Sequence, residues 1–175
     1  MDFKVRITDE ALADFEEILE HCRGPRYAPQ YGRYNRATMA FHHEIRIRFI
    51  DVDMTGRIHY TSLLRYFEAA EIEFFRSLGL LVEDSMKAGV ALPRVHVECD
   101  YVGAIHYDDL LQFEVTVGKV GHTAFRLEFN VLKNEKTVAR GNFVIVSMDM
   151  TTNRPVELPL RLATPLRAHL VPARA

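Results

Sequence analysis

The sequence is poor in cysteine: Cys22 and Cys99 are the only two among 175 residues. Two thiols cannot build a disulfide framework, so the fold must close by apolar packing, and the chain reads as a reduced, cytoplasmic protein. It also lacks an excess of either charge, with 22 Lys and Arg against 24 Asp and Glu and a net charge of -2 at pH 7. So balanced a chain has no global field to gather nucleic acid or an anionic membrane surface, and any anionic ligand must be held by local arginines. No stretch approaches the ~20 uninterrupted apolar residues of a membrane span. The opening MDFKVRITDEALADF is charged throughout and has no apolar run of the kind a secretion signal needs. Internal repeats and low-complexity tracts are absent as well.

What is present is a composition of 48% hydrophobic and 26% charged residues, enough apolar side chain for one ordinary core. Residues 8–24 place Leu12, Phe15, Ile18, Leu19 and Cys22 at helical steps before Gly24, which predicts a short amphipathic helix. Residues 25–37 (PRYAPQYGRYNRA) have no usable period and read as an irregular arm whose Tyr27, Tyr31 and Tyr34 suit a protein contact. The composition shifts at Met39, itself a possible translation start. Residues 1–38 are therefore expected to form a helix and arm, and residues 39–175 the main domain.

Beyond Met39 the hydrophobic period changes to two, predicting strands. Ile45, Ile47 and Phe49 alternate inward in EIRIRFI. Val95, Val97, Cys99 and Tyr101 do so in VHVECDY, which makes Cys99 a small core residue rather than a nucleophile. Two more strands follow at 111–117 and 125–131, and a longer one at 137–150. Short turns at 118–121 and 133–136 favour antiparallel neighbours. Between the first strand and the rest, residues 61–78 (TSLLRYFEAAEIEFFRSL) form a helix that Thr61 can cap and Gly79 can end. Its apolar residues run most of the way round, so it must be buried on several sides. An antiparallel sheet of about five strands wrapped around one long central helix satisfies both patterns, an α+β architecture known as the hotdog fold.

The link into that helix is Asp51-Val52-Asp53-Met54-Thr55-Gly56-Arg57-Ile58-His59-Tyr60-Thr61. Its D-x-D, the Gly three residues on, the His-Tyr pair and the helix LLRYFEAAEIEFFRSLGL resemble the 4-hydroxybenzoyl-CoA thioesterase branch of the hotdog superfamily. Pro93 to Tyr101, Tyr107-Asp108-Asp109 and MDMTTNRPVELP resemble its later elements, so the likeness covers roughly residues 41–170. The resemblance implies a thioesterase that hydrolyses an acyl-CoA or acyl carrier protein thioester. It implies Asp53 as general base or nucleophile and the backbone N–H of Tyr60 as oxyanion donor. It also implies a homodimer or tetramer with the active site at the subunit interface, so that a lone subunit is inactive.

Elementary chemistry gives the same region a role. Thioester hydrolysis needs a group that attacks the carbonyl or activates water, and donors where the oxyanion develops. The unpaired first amides of a helix, here 60–62, are such donors, and a carboxylate just upstream can reach the same carbonyl. Asp53 also has a purely structural reading, since an Asp before a Gly-containing turn commonly caps that turn. Asp51, two residues earlier, faces the other way and orients the loop.

Gly56 supplies backbone angles or room for an acyl chain, and with Thr61 and Ser62 is expected near substrate, although Ser62 also suits a helix cap. His59 sits one residue before the position of a catalytic His in some relatives, where this chain has Tyr60; it either contacts substrate or is a solvated loop histidine. Glu68 stands where the resembling family often has an acid, and is either catalytic or a buried acid bonded to the Arg65 region or to a strand backbone. The scattered histidines predict no metal site. No cofactor is expected, because coenzyme A is part of the substrate. Arg94, Arg126 and Arg140 could meet its phosphates. Leu63, Phe67, Phe74, Val82 and Met86 would shape the acyl pocket. The rival readings are a hotdog hydratase or dehydratase, and a non-catalytic acyl-CoA binder.

Overall fold

The structure, a computed structural model, describes residues 32–35 and 40–171. The expected helix at 8–24, Tyr27, Tyr31 and the boundary at Met39 lie outside the described residues. In chain order the elements are β1 (Gly32–Asn35), β2 (Ala40–Arg46), α1 (Ser62–Ser77), α2 (Val82–Lys87), β3 (Val90–Ala91), β4 (Arg94–Tyr101), β5 (Leu110–Val120), β6 (Ala124–Lys133), β7 (Lys136–Val146), β8 (Met148–Asp149) and α3 (Leu160–Ala168). Six strands form one antiparallel sheet in the order β1-β2-β5-β6-β7-β4, while β3 and β8 pair separately. This is the hotdog fold, with α1 as its filling. One strand was not expected: β1 falls inside the predicted irregular arm and pairs with β2, Tyr34 opposite Phe41.

The period-two pattern is realised most cleanly in the middle of the sheet. Leu111, Phe113, Val115 and Val117 of β5 and Leu127 and Val131 of β6 are fully buried on the helix side. Asn134 and Glu135, both with positive φ, make the tight β6–β7 turn expected at 133–136. The turn expected at 118–121 begins later. β5 continues past Gly118 with a register shift, and a Cβ at Gly118 would stand 2.5 Å from the Glu128 carboxylate. Against the sheet, the Phe67 ring of α1 stacks on Phe129 with centroids 4.6 Å apart and meets Phe113 and Phe143 edge-on. Gly141 makes this approach possible, since a Cβ there would lie 2.5 Å from the Phe67 ring.

Four expectations need correction. The first strand lies at Ala40–Arg46 and not at 44–50; Phe49 is 76% exposed in a short turn, because the chain bends there to bring Asp51 inside. The apolar residues of β4 are not inward, with Val95 48%, Val97 43% and Tyr101 41% exposed. β4 is an edge strand paired only with β7 among the described residues, and none of those residues buries these side chains. Helix α1 buries one broad face, including Leu63, Phe67, Ala70 and Phe74, while Arg65, Glu68 and Ile72 stay exposed. The long final strand breaks at the buried Ser147, whose N–H bonds to the Thr123 carbonyl, and the chain then turns into α3, a helix the sequence reading did not anticipate. Among the described residues no helix is long and apolar enough to cross a membrane.

Candidate active site

The loop between β2 and α1 is organised by Asp51. Its side chain is completely buried, and it accepts hydrogen bonds from the Tyr66 hydroxyl at 2.7 Å, Arg48 Nε at 2.9 Å and Arg65 Nη2 at 2.5 Å. Its carbonyl accepts the His59 N–H at 2.8 Å, tying the far end of the loop to the same point. Burial pushes the Asp51 carboxyl up, but the Tyr66 hydroxyl and the Arg48 and Arg65 cations outweigh it and hold the group below the usual carboxylate range. Asp51 thus faces away from Asp53 and fixes the loop.

Residues 53–57 fold into a hairpin. The Asp53 N–H bonds to the Arg57 carbonyl at 2.8 Å, the Gly56 N–H returns to the Asp53 carbonyl at 3.0 Å, and Gly56 has φ 76°. That is a three-residue loop closed by a left-handed position, which glycine occupies without strain. A Cβ at Gly56 would meet nothing within 4 Å, so the backbone angle rather than crowding calls for glycine. The Asp53 side chain does cap this turn: Oδ1 accepts both the Thr55 N–H at 2.8 Å and the Thr55 hydroxyl at 2.6 Å. Both bonds fall on one oxygen, and Oδ2 makes no such bond among the described residues. The Thr55 hydroxyl first, then its N–H, and more weakly the Arg57 N–H and the charge of His59, lower the Asp53 pKa against a small opposing effect of burial.

Asp53, Arg57, Tyr60 and Tyr101, with residues 102–105, line a cleft of about 500 Å³. The Tyr60 N–H has no backbone acceptor among the described residues, while its carbonyl accepts the Tyr101 hydroxyl at 2.5 Å. Burial holds Tyr101 firmly in its protonated form. The cleft therefore brings together an anionic oxygen and an unpaired amide at the entrance of α1. It opens at the end of β4, on the unpaired edge of the sheet.

The other predicted positions fall around it. His59 is exposed, its Nδ1 2.8 Å from the Thr61 hydroxyl and its ring tilted against that of Tyr60 with centroids 4.6 Å apart. Thr61 does not cap the helix through its side chain, because its backbone is already helical (φ −84°, ψ −20°) and cannot aim the hydroxyl at the next amides. Ser62 is buried and accepts Arg65 Nη2 at 3.0 Å, which sets its side chain behind the cleft wall. Glu68 lies exposed on the outer side of α1, so it is not the buried acid that one of its readings required.

The buried acid of that helix is Glu71, which sequence reasoning missed. It accepts Arg94 Nη2 at 2.7 Å through Oε2, Oε1 has no partner, and burial raises its pKa against the attraction of Arg94. A signal existed: Glu71 follows Phe67 and precedes Phe75 by four residues, on the apolar stripe, where a carboxylate demands a cation. Arg94 is thereby occupied, and Arg126 pairs with Glu128 at 2.6 Å. Arg140 lines a separate groove beside Glu98 and Asp100. Cys99 is half-buried and burial raises its pKa, which keeps it a thiol. No group of three His, Cys, Asp or Glu that could hold a metal occurs among the described residues.

The expected acyl pocket does not form among the described residues of one chain. Leu63, Phe67 and Phe74 are sealed in the core, Met86 is 56% exposed, and the side chain of Val82 lies outside the description. A smaller apolar pocket of about 160 Å³ lies instead at the other end of α1, between Phe75, Leu80, Leu92 and Leu162.

A family model described as the thioesterase-like superfamily matches residues 47–166. A 1,4-dihydroxy-2-naphthoyl-CoA hydrolase of Synechococcus sp. (strain CC9605) is 30% identical over 119 residues, covering 65% of this chain and 80% of that protein. An acyl-CoA thioesterase of Haemophilus influenzae is 26% identical over 123 residues, covering 68% and 88%. The crystal structure of a 1,4-dihydroxy-2-naphthoyl-CoA thioesterase from Synechocystis superposes with a TM-score of 0.69 at 21% identity, over 73% of this chain and 96% of that one, and so shares the fold.

Proposed function

This chain belongs to the thioesterase-like superfamily of thioester hydrolases, and on that premise we propose that it hydrolyses an acyl-CoA thioester in the Asp53 cleft. One observation carries the reading: Asp53, kept ionised with its Thr55 bonds on Oδ1 alone, and Tyr60, whose N–H meets no acceptor among the described residues, line the same cleft. In the reaction, Asp53 Oδ2 either attacks the carbonyl carbon or takes a proton from the water that does. The tetrahedral oxyanion accepts the Tyr60 N–H, and its collapse expels the coenzyme A thiolate. Water completes the balance, giving a free acid and the thiol. Thr55 supports this role by keeping Asp53 ionised, the form that either path needs. The capping and the catalytic readings of Asp53 are compatible, since they use different oxygens. His59, close enough to lower the Asp53 pKa, serves as a neighbouring charge or substrate contact.

The working unit is a homodimer paired along β4, with a tetramer as its further assembly. An eight-residue edge strand that exposes Val95, Val97 and Tyr101 is a template for a second copy. The cleft opens beside that edge, so the partner would supply its missing wall and the acyl pocket that one chain lacks. The carrier is coenzyme A; an acyl carrier protein is the alternative.

The test is thiol release from a panel of aromatic and aliphatic acyl thioesters on both carriers, with wild type beside Asp53→Asn. The expected loss in kcat/KM is at least about 100-fold at unchanged fold. Full activity of the variant would end this assignment, enoyl-CoA hydration would favour a hydratase, and binding without turnover a non-catalytic binder.

A further inference from the structure

One basic side chain in the cleft is not accounted for by loop architecture. Arg48 and Arg65 are engaged by Asp51, and Arg46 by Asp108. Arg57, which the sequence reading passed over, is exposed, lines the cleft, and has no ion pair or side-chain hydrogen bond among the described residues. It stands opposite Asp53 in the hairpin, joined through the Asp53 N–H to Arg57 carbonyl bond at 2.8 Å. Both residues belong to the lining of the same cleft. The Asp53 carboxylate is turned onto Thr55 and makes no ion pair with Arg57, so the guanidinium is left for a ligand in the cleft.

We propose that Arg57 is a specificity residue whose guanidinium receives an oxygen carried by the acyl group at the β position, such as an ortho-hydroxyl on an aroyl group or a 3-oxo group on an aliphatic chain. The inference rests on the hydrolytic reading of the cleft. The phosphates of coenzyme A lie a whole pantetheine arm from the thioester, too far for a side chain that neighbours the attacking carboxylate. The carbonyl oxygen itself is assigned to the Tyr60 amide at the helix entrance. What remains within reach of Arg57 is the near part of the acyl group, where an oxygen acceptor gains a charge-assisted, potentially two-pronged hydrogen bond and a methyl group does not.

The experiment uses matched pairs: 2-hydroxybenzoyl-CoA against 2-methylbenzoyl-CoA, and 3-oxohexanoyl-CoA against hexanoyl-CoA, with wild type, Arg57→Ala and Arg57→Lys. Wild type should prefer the oxygen-bearing member of one pair by about tenfold or more in kcat/KM, and the pair that shows it identifies the acyl class. Arg57→Ala should erase that preference while sparing the oxygen-free substrates, with Arg57→Lys in between. Equal rates within both pairs for wild type, or an equal loss on all four substrates in Arg57→Ala, would overturn the proposal. If Arg57→Ala does not fold, the wild-type pairs and Arg57→Lys decide. If wild type turns over none of the four, the hydrolytic reading is still judged by the wider panel on both carriers, and calorimetric binding of the same pairs to wild type and Arg57→Ala decides whether Arg57 reads the oxygen.

Discussion

The loop before α1 and the middle of α1 each contain a completely buried carboxylate, and the two are driven in opposite directions. Asp51 meets a tyrosine hydroxyl and two arginines and falls below the usual carboxylate range, whereas Glu71 meets Arg94 alone, keeps one oxygen without a partner, and rises. Burial is common to both, so it does not decide the charge; the number of donors gathered around each does. The loop spends its cations on holding a rigid turn in which Asp53 is presented. The helix carries its acid with the least compensation that a packed interface allows, as a tie between α1 and the start of β4.

Replacing Asp51 should have the largest effect on stability. Asp51→Ala strands the buried Tyr66 hydroxyl and frees both arginines, and should cost about 2–3 kcal/mol in urea unfolding at neutral pH. Because the folded-state pKa is depressed, the contribution is present above the unfolded value of about 3.9 and is lost as pH falls through the folded one. Wild type and Asp51→Asn should therefore converge in acid, and a gap that stayed constant down to about pH 3 would break the contrast with Glu71.

Glu71→Gln should act with the opposite sign. A raised folded-state pKa means that the contribution of Glu71 is fully present below its unfolded value of about 4.3 and declines as pH rises through the folded one. Wild type should thus lose stability relative to Glu71→Gln over that rise, measured as paired unfolding curves from pH 4 to 8. Parallel curves would mean that Arg94 compensates the acid fully. The smallest effect belongs to Glu68→Gln, on the exposed side of the same helix, which should stay within about 0.5 kcal/mol of wild type. A larger loss that depends on protein concentration would instead reveal that a second copy covers this side of α1.

The elements that could be read from the sequence are those in which one short-range rule acts alone. The alternation in β5 and β6, the 133–136 turn and the α1 stripe ending at Gly79 are recoverable, because each residue's neighbours along the chain are enough to set its face. β4 shows where that logic stops: the alternation is real, but whether Val95 and Val97 are covered depends on what lies beyond the edge of the sheet. Phe49 shows it again. The period continues past Arg46, yet Asp51 needs three donors from distant positions and bends the chain to reach them.

The candidate site divides in the same way. Local chemistry marked Asp53 as either a turn cap or a catalytic acid, and only the coordinates revealed that the cap uses one oxygen and leaves the other. Arg57 was passed over because no spacing rule distinguishes a cleft arginine from a solvated one. Glu71 was overshadowed by Glu68, three residues away, because a helix period gives the angle between two residues without saying which of them faces the sheet.

By itself, then, the sequence determined the sheet-and-helix architecture, the family and the loop proposed to carry the chemistry, since these rest on periodicity and short motifs. The tertiary structure alone decided which acids are buried, which arginines are occupied and which strand edge stays open. Those outcomes depend on desolvation and on donors brought together from distant parts of the chain, and such terms have no counterpart in local order.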